Sequence, residues 1–255
     1  MISSTANEKI KHVTELVKNA KARRKEGLFV TEGVRIASEI PQNALVECFI
    51  SDDFSWDETA DKVFLYDVDP TVVSSAVFRK MSDTRNPQGI ICVCRQNVFP
   101  DPYDILSGSG PRRLLILEGI QDPGNLGTMV RTAEGAGFNA IYADNNTVDV
   151  YNPKVIRSTM GSVFRVPVVY TADLFELVDR LKSLSVTVYA AHLNGTADYR
   201  EVTYGDRIAF LIGNEGSGLS DAICEKADRL VRIPMHGKLE SLNAAVAAAV
   251  LMYGI

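Results

Sequence analysis

The chain has 255 residues, 46% of them hydrophobic and 23% charged, with a formal net charge of −5. These are the proportions of an ordinary globular protein, long enough for a small domain followed by a larger one. They exclude a disordered chain and a protein that grips nucleic acid over its whole surface. No apolar run reaches the roughly 20 residues of a membrane span, and the start, MISSTANEKIKHV, lacks the apolar core of a signal peptide. Cys48, Cys92, Cys94 and Cys224 form no C-x-x-C pair and no zinc spacing. Reduced thiols in a cytoplasmic protein without a metal site are therefore expected.

Residues 1–95 read as a small α/β domain. An amphipathic helix over 7–20 leads to a strand at 28–31 and a helix at 34–40. An apolar run at 45–50, a strand at 63–66, a helix after Pro70 and a strand at 89–94 follow. The stretch Lys9 to Gly27 carries seven lysines and arginines against two acids. Such a face is either a solvated helix surface or a track for phosphates. Residues 96–112 collect prolines, glycines and serines and read as a linker.

Residues 113–255 alternate strands and helices in a βαβ pattern, which implies a mostly parallel sheet. Strands are expected at 114–117, 140–143, 164–169, 186–191, 208–212 and 230–233. Helices are expected at 126–136, from Pro153 to near Gly161, at 174–184 and after Ser220. The last helix, Ala244 to Met252, has no polar face, so it belongs in a core or against another subunit. Ser241 or Asn243 can cap it.

Three blocks sit where strands of this sheet end, the polar, glycine-rich LEGIQDPGNLGTMVRTAEGAG (117–137) and FLIGNEGSGLS (210–220), and IPMHGKLESLNAAVAAAV (233–250), a polar loop opening the apolar last helix. Ligand sites of open parallel sheets lie at such ends. A fourth loop, His192-Leu193-Asn194-Gly195, leaves its strand on the same side, where Leu193 can line a pocket. The second block is no P-loop, because Gly-Lys-Ser/Thr does not follow.

Taken in order, the three blocks resemble the signature motifs of the SpoU (TrmH-type) RNA ribose 2′-O-methyltransferases of the SPOUT superfamily, and the amino-terminal part resembles their substrate-binding domain. The resemblance implies a carboxyl-terminal domain with a deep trefoil knot from about Phe210 onward, preceded by a ribosomal-protein-like RNA-binding domain. It implies S-adenosylmethionine as cofactor, RNA as partner (ribosomal in preference to transfer RNA) and a homodimer whose sites draw on both chains. Gly213, Ile233 and Leu242 match cofactor-binding positions, and Asn125, Arg131, Glu215, Ser241 and Asn243 match catalytic ones. Arg131 shares a helix face with Thr128 and Glu134, so a surface ion pair with Glu134 is its structural alternative. Glu215 would orient Arg131, contact the nucleotide, or accept from its own glycine-rich turn. His236 and Lys238 flank the third block as candidate RNA contacts. A non-catalytic RNA-binding or ribosome-assembly protein is the rival from another class, and a transfer-RNA enzyme the rival within the family.

Overall fold

The computed structural model describes residues 1–56, 63, 65–96, 99 and 110–255. The chain forms two compact units, Met1–Val98 with Asp149–Phe164, and Phe99–Val148 with Arg165–Ile255.

In the first unit, helix α1 (Glu8–Lys18) starts at Asn7, whose side chain accepts from the Lys9 N–H. It ends two residues earlier than its periodicity suggests, and α2 (Ala20–Glu26) begins at once. Asn19 causes the break. Its extended backbone ends α1 while its side chain caps α2 by accepting from Lys21 and Ala22. Strand β1 (Leu28–Glu32) and a short α3 (Val34–Ala37) follow. The remaining elements are β2 (Leu45–Ser51), β3 (Thr71–Val73), α4 (Ser75–Met81) and β4 (Ile90–Arg95).

The expected strand at 63–66 includes residue 64, outside the described residues, and Val63, Leu65 and Tyr66 are not in a strand. The third strand is β3, where a helix was expected, and the helix waits for the Ser74 cap. The expected linker also lies mostly outside the described residues. The strands order β1-β4-β2-β3, antiparallel except for the β2–β3 pair. Helices α1 and α4 cover one face with Val13, Leu16, Val77 and Phe78 against Val30, Phe49, Ile91 and Val93.

On the other face, the register sets Thr31, Cys92 and Cys48 side by side. Bonding to Cys48 and burial push the Cys92 thiol up, and burial pushes Cys94 up, so both stay protonated and serve as core. Chain order puts residues 149–164 in the carboxyl-terminal domain, yet they pack in this unit. They carry a helix over Pro153–Thr159 capped by Asn152. Phe29 meets Tyr151 at 4.7 Å and Phe164 at 5.8 Å between ring centroids. Arg23, 3% exposed, fixes the segment's start: Nε and Nη2 donate to Asp149 at 2.9 and 2.7 Å, while Nη1 donates to the Leu16 and Val17 carbonyls. Arg23 of the basic run is thus structural, neither part of a solvated surface nor open to a phosphate.

The second unit is a parallel sheet of β5 (Arg112–Leu117), β6 (Ala140–Asp144), β7 (Val168–Thr171), β8 (Thr187–Ala191), β9 (Ala197–Asp198), β10 (Arg207–Ile212) and β11 (Arg229–Arg232). The strand order is β7-β6-β5-β10-β8-β11-β9. Its helices are α5 (Pro123–Gly135), α7 (Leu174–Ser183), α8 (Asp221–Lys226) and α9 (Ala244–Tyr253), with α6 the Pro153–Thr159 helix of the first unit. Leu114 through Leu117 are all buried, because helices cover both faces. Leu177, Val178 and Leu181 of α7 and Ile223 of α8 pack against Leu114, Ile116, Val188 and Leu211, while α5 and α9 pack together and α9 against β10.

Arg23→Ala removes a nearly buried guanidinium and strands Asp149. It should lower unfolding stability by about 3 kcal/mol, read by urea denaturation. A loss below about 1 kcal/mol would mean that the pair behaves as a surface one.

Candidate functional site

The register of β5 and β10 pairs Leu117 with Ile212, so the first two motif loops leave the sheet side by side. Strand β8 pairs with β10 and β11 with β8, which brings the 192–195 and 233–242 loops to the same edge.

The loop after β10 is closed by Asn214. Its backbone exchanges hydrogen bonds with Gly218, and its side-chain oxygen accepts from Gly216 and Ser217 N–H at 2.8 and 3.1 Å. Its Nδ2 donates to the Gly119 carbonyl at 2.7 Å, tying this loop to the first. Gly213 is required for space: a Cβ there would stand 2.2 Å from the backbone of Gly218 and Leu219. Gly213 has no positive φ, so close backbone approach, rather than unusual backbone angles, selects the glycine.

Asp122 and Pro123 start α5 as cap and first residue, with the Asp122 side chain accepting from the Asn125 N–H. Asn125 therefore sits in the first turn of α5, which starts three residues before the expected Leu126. Glu215 reaches across from the second loop. Its Oε2 accepts from the Gln121 N–H at 3.1 Å, and its Oε1 from the Asp122 N–H at 3.1 Å and Asn125 Nδ2 at 2.9 Å. The acceptor in its own turn is Asn214, and none of these bonds goes to Arg131.

Asn243, of the two candidate caps, caps α9: its Oδ1 accepts from Ala245 and Val246 N–H. Its Nδ2 donates to Asn125 Oδ1 at 2.9 Å. The three motifs are therefore joined by one directional chain, Asn243 to Asn125 to Glu215. Each amide can face only one way, since Glu215 accepts only and the α9 N–H groups donate only. Burial raises the Glu215 carboxyl, but bonds from the Asn125 side chain and the Gln121 and Asp122 backbone outweigh it and hold the group below its ordinary range.

Arg131 is exposed on α5 and makes no hydrogen bond or ion pair among the described residues. Glu134 is taken instead by Arg165, whose Nη2 donates at 3.2 Å and whose Nε makes a second, shorter bond. The Arg131–Glu134 pair is thus absent, and Arg131 stands outside the chain formed by the other motif residues. Ser241 makes no hydrogen bond among the described residues, but lines a cavity of about 370 Å³ with Leu193, Gly213, Glu215, Ile233 and Leu242. Backbone groups of two loops and apolar walls are the usual composition of a small-molecule site, whose volume is roughly 300–1,000 Å³. His236 and Lys238 are exposed beside it. Sequence reasoning missed Asn214 and Asp122, although Asp-Pro is a readable helix start and Asn before a glycine-rich turn a readable side-chain turn.

Among known proteins, the SpoU rRNA Methylase family matches residues 112–253 and the MRM3-like substrate binding domain matches residues 7–92. The chain is 36% identical to the 23S rRNA (guanosine(2553)-2′-O)-methyltransferase RlmP of Bacillus subtilis, over 99% of this chain and 97% of that protein. A solved RNA 2′-O ribose methyltransferase, 32% identical, superposes with a TM-score of 0.84 over 99% of this chain and 96% of its own. An AdoMet-bound rRNA methyltransferase from Sinorhizobium meliloti, 27% identical, gives 0.84 over 99% and 95%.

Glu215→Gln should cost about 1 kcal/mol of stability at neutral pH, since the carboxylate is exposed and its bonds are discounted for solvent. Because the folded group titrates lower than the unfolded one, its contribution is complete above the ordinary glutamate range. It is lost as pH falls through the depressed value. Paired denaturation curves should converge in acid; a difference that persists there would remove the charge from the explanation.

Proposed function

The chain belongs to the SpoU rRNA methylase family, and from that premise we propose that it methylates a ribose 2′-hydroxyl of ribosomal RNA, in the cytoplasm, as a homodimer. It is an S-adenosylmethionine-dependent RNA 2′-O-ribose methyltransferase. The observation that carries the site assignment is the Asn243–Asn125–Glu215 chain, which stitches the three motifs together at the rim of the cavity.

The cavity suits the cofactor in kind. Leu193, Ile233 and Leu242 offer apolar walls to an adenine, and the Gly213 loop offers main-chain groups in a fixed shape. When bound, the cofactor supplies an electrophilic methyl on a sulfonium sulfur. The chain's own residues then have three tasks. Arg131 anchors the phosphate beside the target ribose through its guanidinium and stabilises the oxygen as its proton leaves. Glu215, ionised, locks the Asn125 amide, and Asn125 and Ser241 orient the nucleotide at the cavity mouth. Asn243 couples this geometry to the start of α9. Much of the acceleration then comes from positioning.

Residues 1–95 are assigned to RNA binding, 96–112 to the linker and 113–255 to methyl transfer, with a deep trefoil knot from Phe210 onward. The strand order, with β10 between β5 and β8, supports the knot. The dimer is supported by Val246 and Tyr253, apolar and aromatic side chains exposed at 48% and 65% on α9. It is supported also by Arg131, which lacks a partner among the described residues and would complete a neighbour's site.

Purified protein incubated with radiolabelled S-adenosylmethionine and ribosomal RNA lacking the modification should place label on one 2′-O-methylnucleoside. No label, with cofactor binding shown separately, would favour a non-catalytic RNA-binding protein. Arg131→Ala should slow transfer roughly 100- to 1,000-fold, as loss of one oxyanion donor does, with cofactor affinity unchanged; full activity would remove Arg131 from the mechanism. Val246→Asp should give a monomer by sedimentation and abolish transfer, whereas an active dimer would refute the α9 interface.

A further inference from the structure

The first motif loop is held from two sides. Its successive N–H groups from Glu118 to Asp122 all donate, to groups from three stretches of the chain. Glu118 donates to the Ile212 carbonyl of β10 at 3.0 Å. Gly119 donates to Asp144 Oδ1 at 2.9 Å, and Ile120 to Thr147 Oγ1 at 3.2 Å. Gln121 and Asp122 donate to the two oxygens of Glu215. With these donors taken, the loop is a platform for the start of α5 rather than a nest for an anion.

The support from residues 144–148 is dense. Asp144 ends β6, and its Oδ1 accepts also from the Thr147 N–H at 2.9 Å and the Thr147 hydroxyl at 2.7 Å. That hydroxyl has one proton and gives it to Asp144, which leaves its lone pairs for the Ile120 N–H. The relay therefore runs one way, from Ile120 through Thr147 to Asp144. The Val148 N–H donates to the Ile120 carbonyl at 2.8 Å, and Gln121 Nε2 donates to the Asn146 carbonyl. Ile120 is fully buried and Thr147 nearly so. Loss of the hydroxyl would leave the Ile120 N–H without an acceptor and out of reach of water. Gly119, at φ +68°, supplies the left-handed turn that aims these groups at β6.

We propose that Thr147 and Asp144 are positioning residues for methyl transfer. Neither lines the cavity that suits the cofactor, and both lie outside the three motif blocks. They act through Gly119 and Ile120, whose setting decides whether the Gln121 and Asp122 N–H groups meet Glu215 together. Glu215 in turn holds the Asn125 amide. A loop released at Ile120 opens that two-point grip, and Asn125 loses the orientation on which the Asn243–Asn125–Glu215 chain depends. The inference rests on the reading of the protein as an RNA 2′-O-methyltransferase and adds to its site a turn that carries no motif.

Thr147→Val keeps the side-chain shape and removes the hydroxyl. With saturating ribosomal RNA, its kcat should fall about 10- to 100-fold while KM for S-adenosylmethionine stays within about twofold, the split expected when reacting groups are misplaced but the cofactor site is intact. Thr147→Ser should recover most of the rate. Asp144→Asn, which keeps the accepting Oδ1, should stay close to wild type, and Asp144→Ala should fall as the valine variant does. Amide hydrogen exchange across residues 118–122 should quicken in Thr147→Val, a readout that needs no activity. An unchanged kcat in Thr147→Val, a raised cofactor KM in its place, no recovery in Thr147→Ser, or a loss explained by unfolded protein in the assay would overturn the proposal. Should the valine variant not fold, wild-type rates in Asp144→Ala would overturn it equally. Wild-type protein that transfers no methyl would instead fail the enzymatic reading, and faster exchange in Thr147→Val would then leave the relay as structure alone.

Discussion

The in-register pairing of β5 with β10 is the constraint on which the site depends. Both strands are buried on both faces, so a slip of one residue would turn every side chain to the wrong layer. The register Leu117–Ile212 sets the loops beginning at Glu118 and Gly213 level with each other. Only then can Asn214 reach the Gly119 carbonyl, and Glu215 the N–H groups of Gln121 and Asp122. The cavity and the amide chain are consequences of a packing decision made in the hydrophobic core, away from any ligand.

Much of this was legible in the sequence because it was local. The βαβ alternation, the Asn152-Pro153 cap and the apolar last helix follow from periodicity and end signals. The three motif loops fell at strand ends on that evidence alone. The break at Asn19 and the early start of α5 at Asp122 were also local, but the propensity of flanking residues for helix concealed one and delayed the other. Strand β3 could not be read: three residues long, it exists by pairing parallel to β2, some twenty residues upstream. The bond from Asn125 to Glu215 spans 90 positions and that from Asn243 to Asn125 spans 118, so no window contains either pair.

The two asparagines illustrate how one residue type does unlike work in one site. Asn214 spends its oxygen on its own turn and its nitrogen on a neighbouring loop. Asn243 spends its oxygen on a helix start and its nitrogen on a motif partner. In each case an aspartate of the same shape would keep the acceptor and lose the donor, which is the half that crosses between motifs.

The placement of residues 149–164 bears on how such a chain can be assembled from parts. A cut at the linker would separate sequence segments, but not folded bodies. The excised carboxyl-terminal piece would carry a helix and two aromatic rings, Tyr151 and Phe164, whose apolar partners lie on the other fragment. The amino-terminal fragment would keep Arg23 buried beneath a missing carboxylate. Recombination that exchanges one half for that of a relative therefore has to respect a threaded seam rather than a point, and the two halves inherit each other's sequence drift.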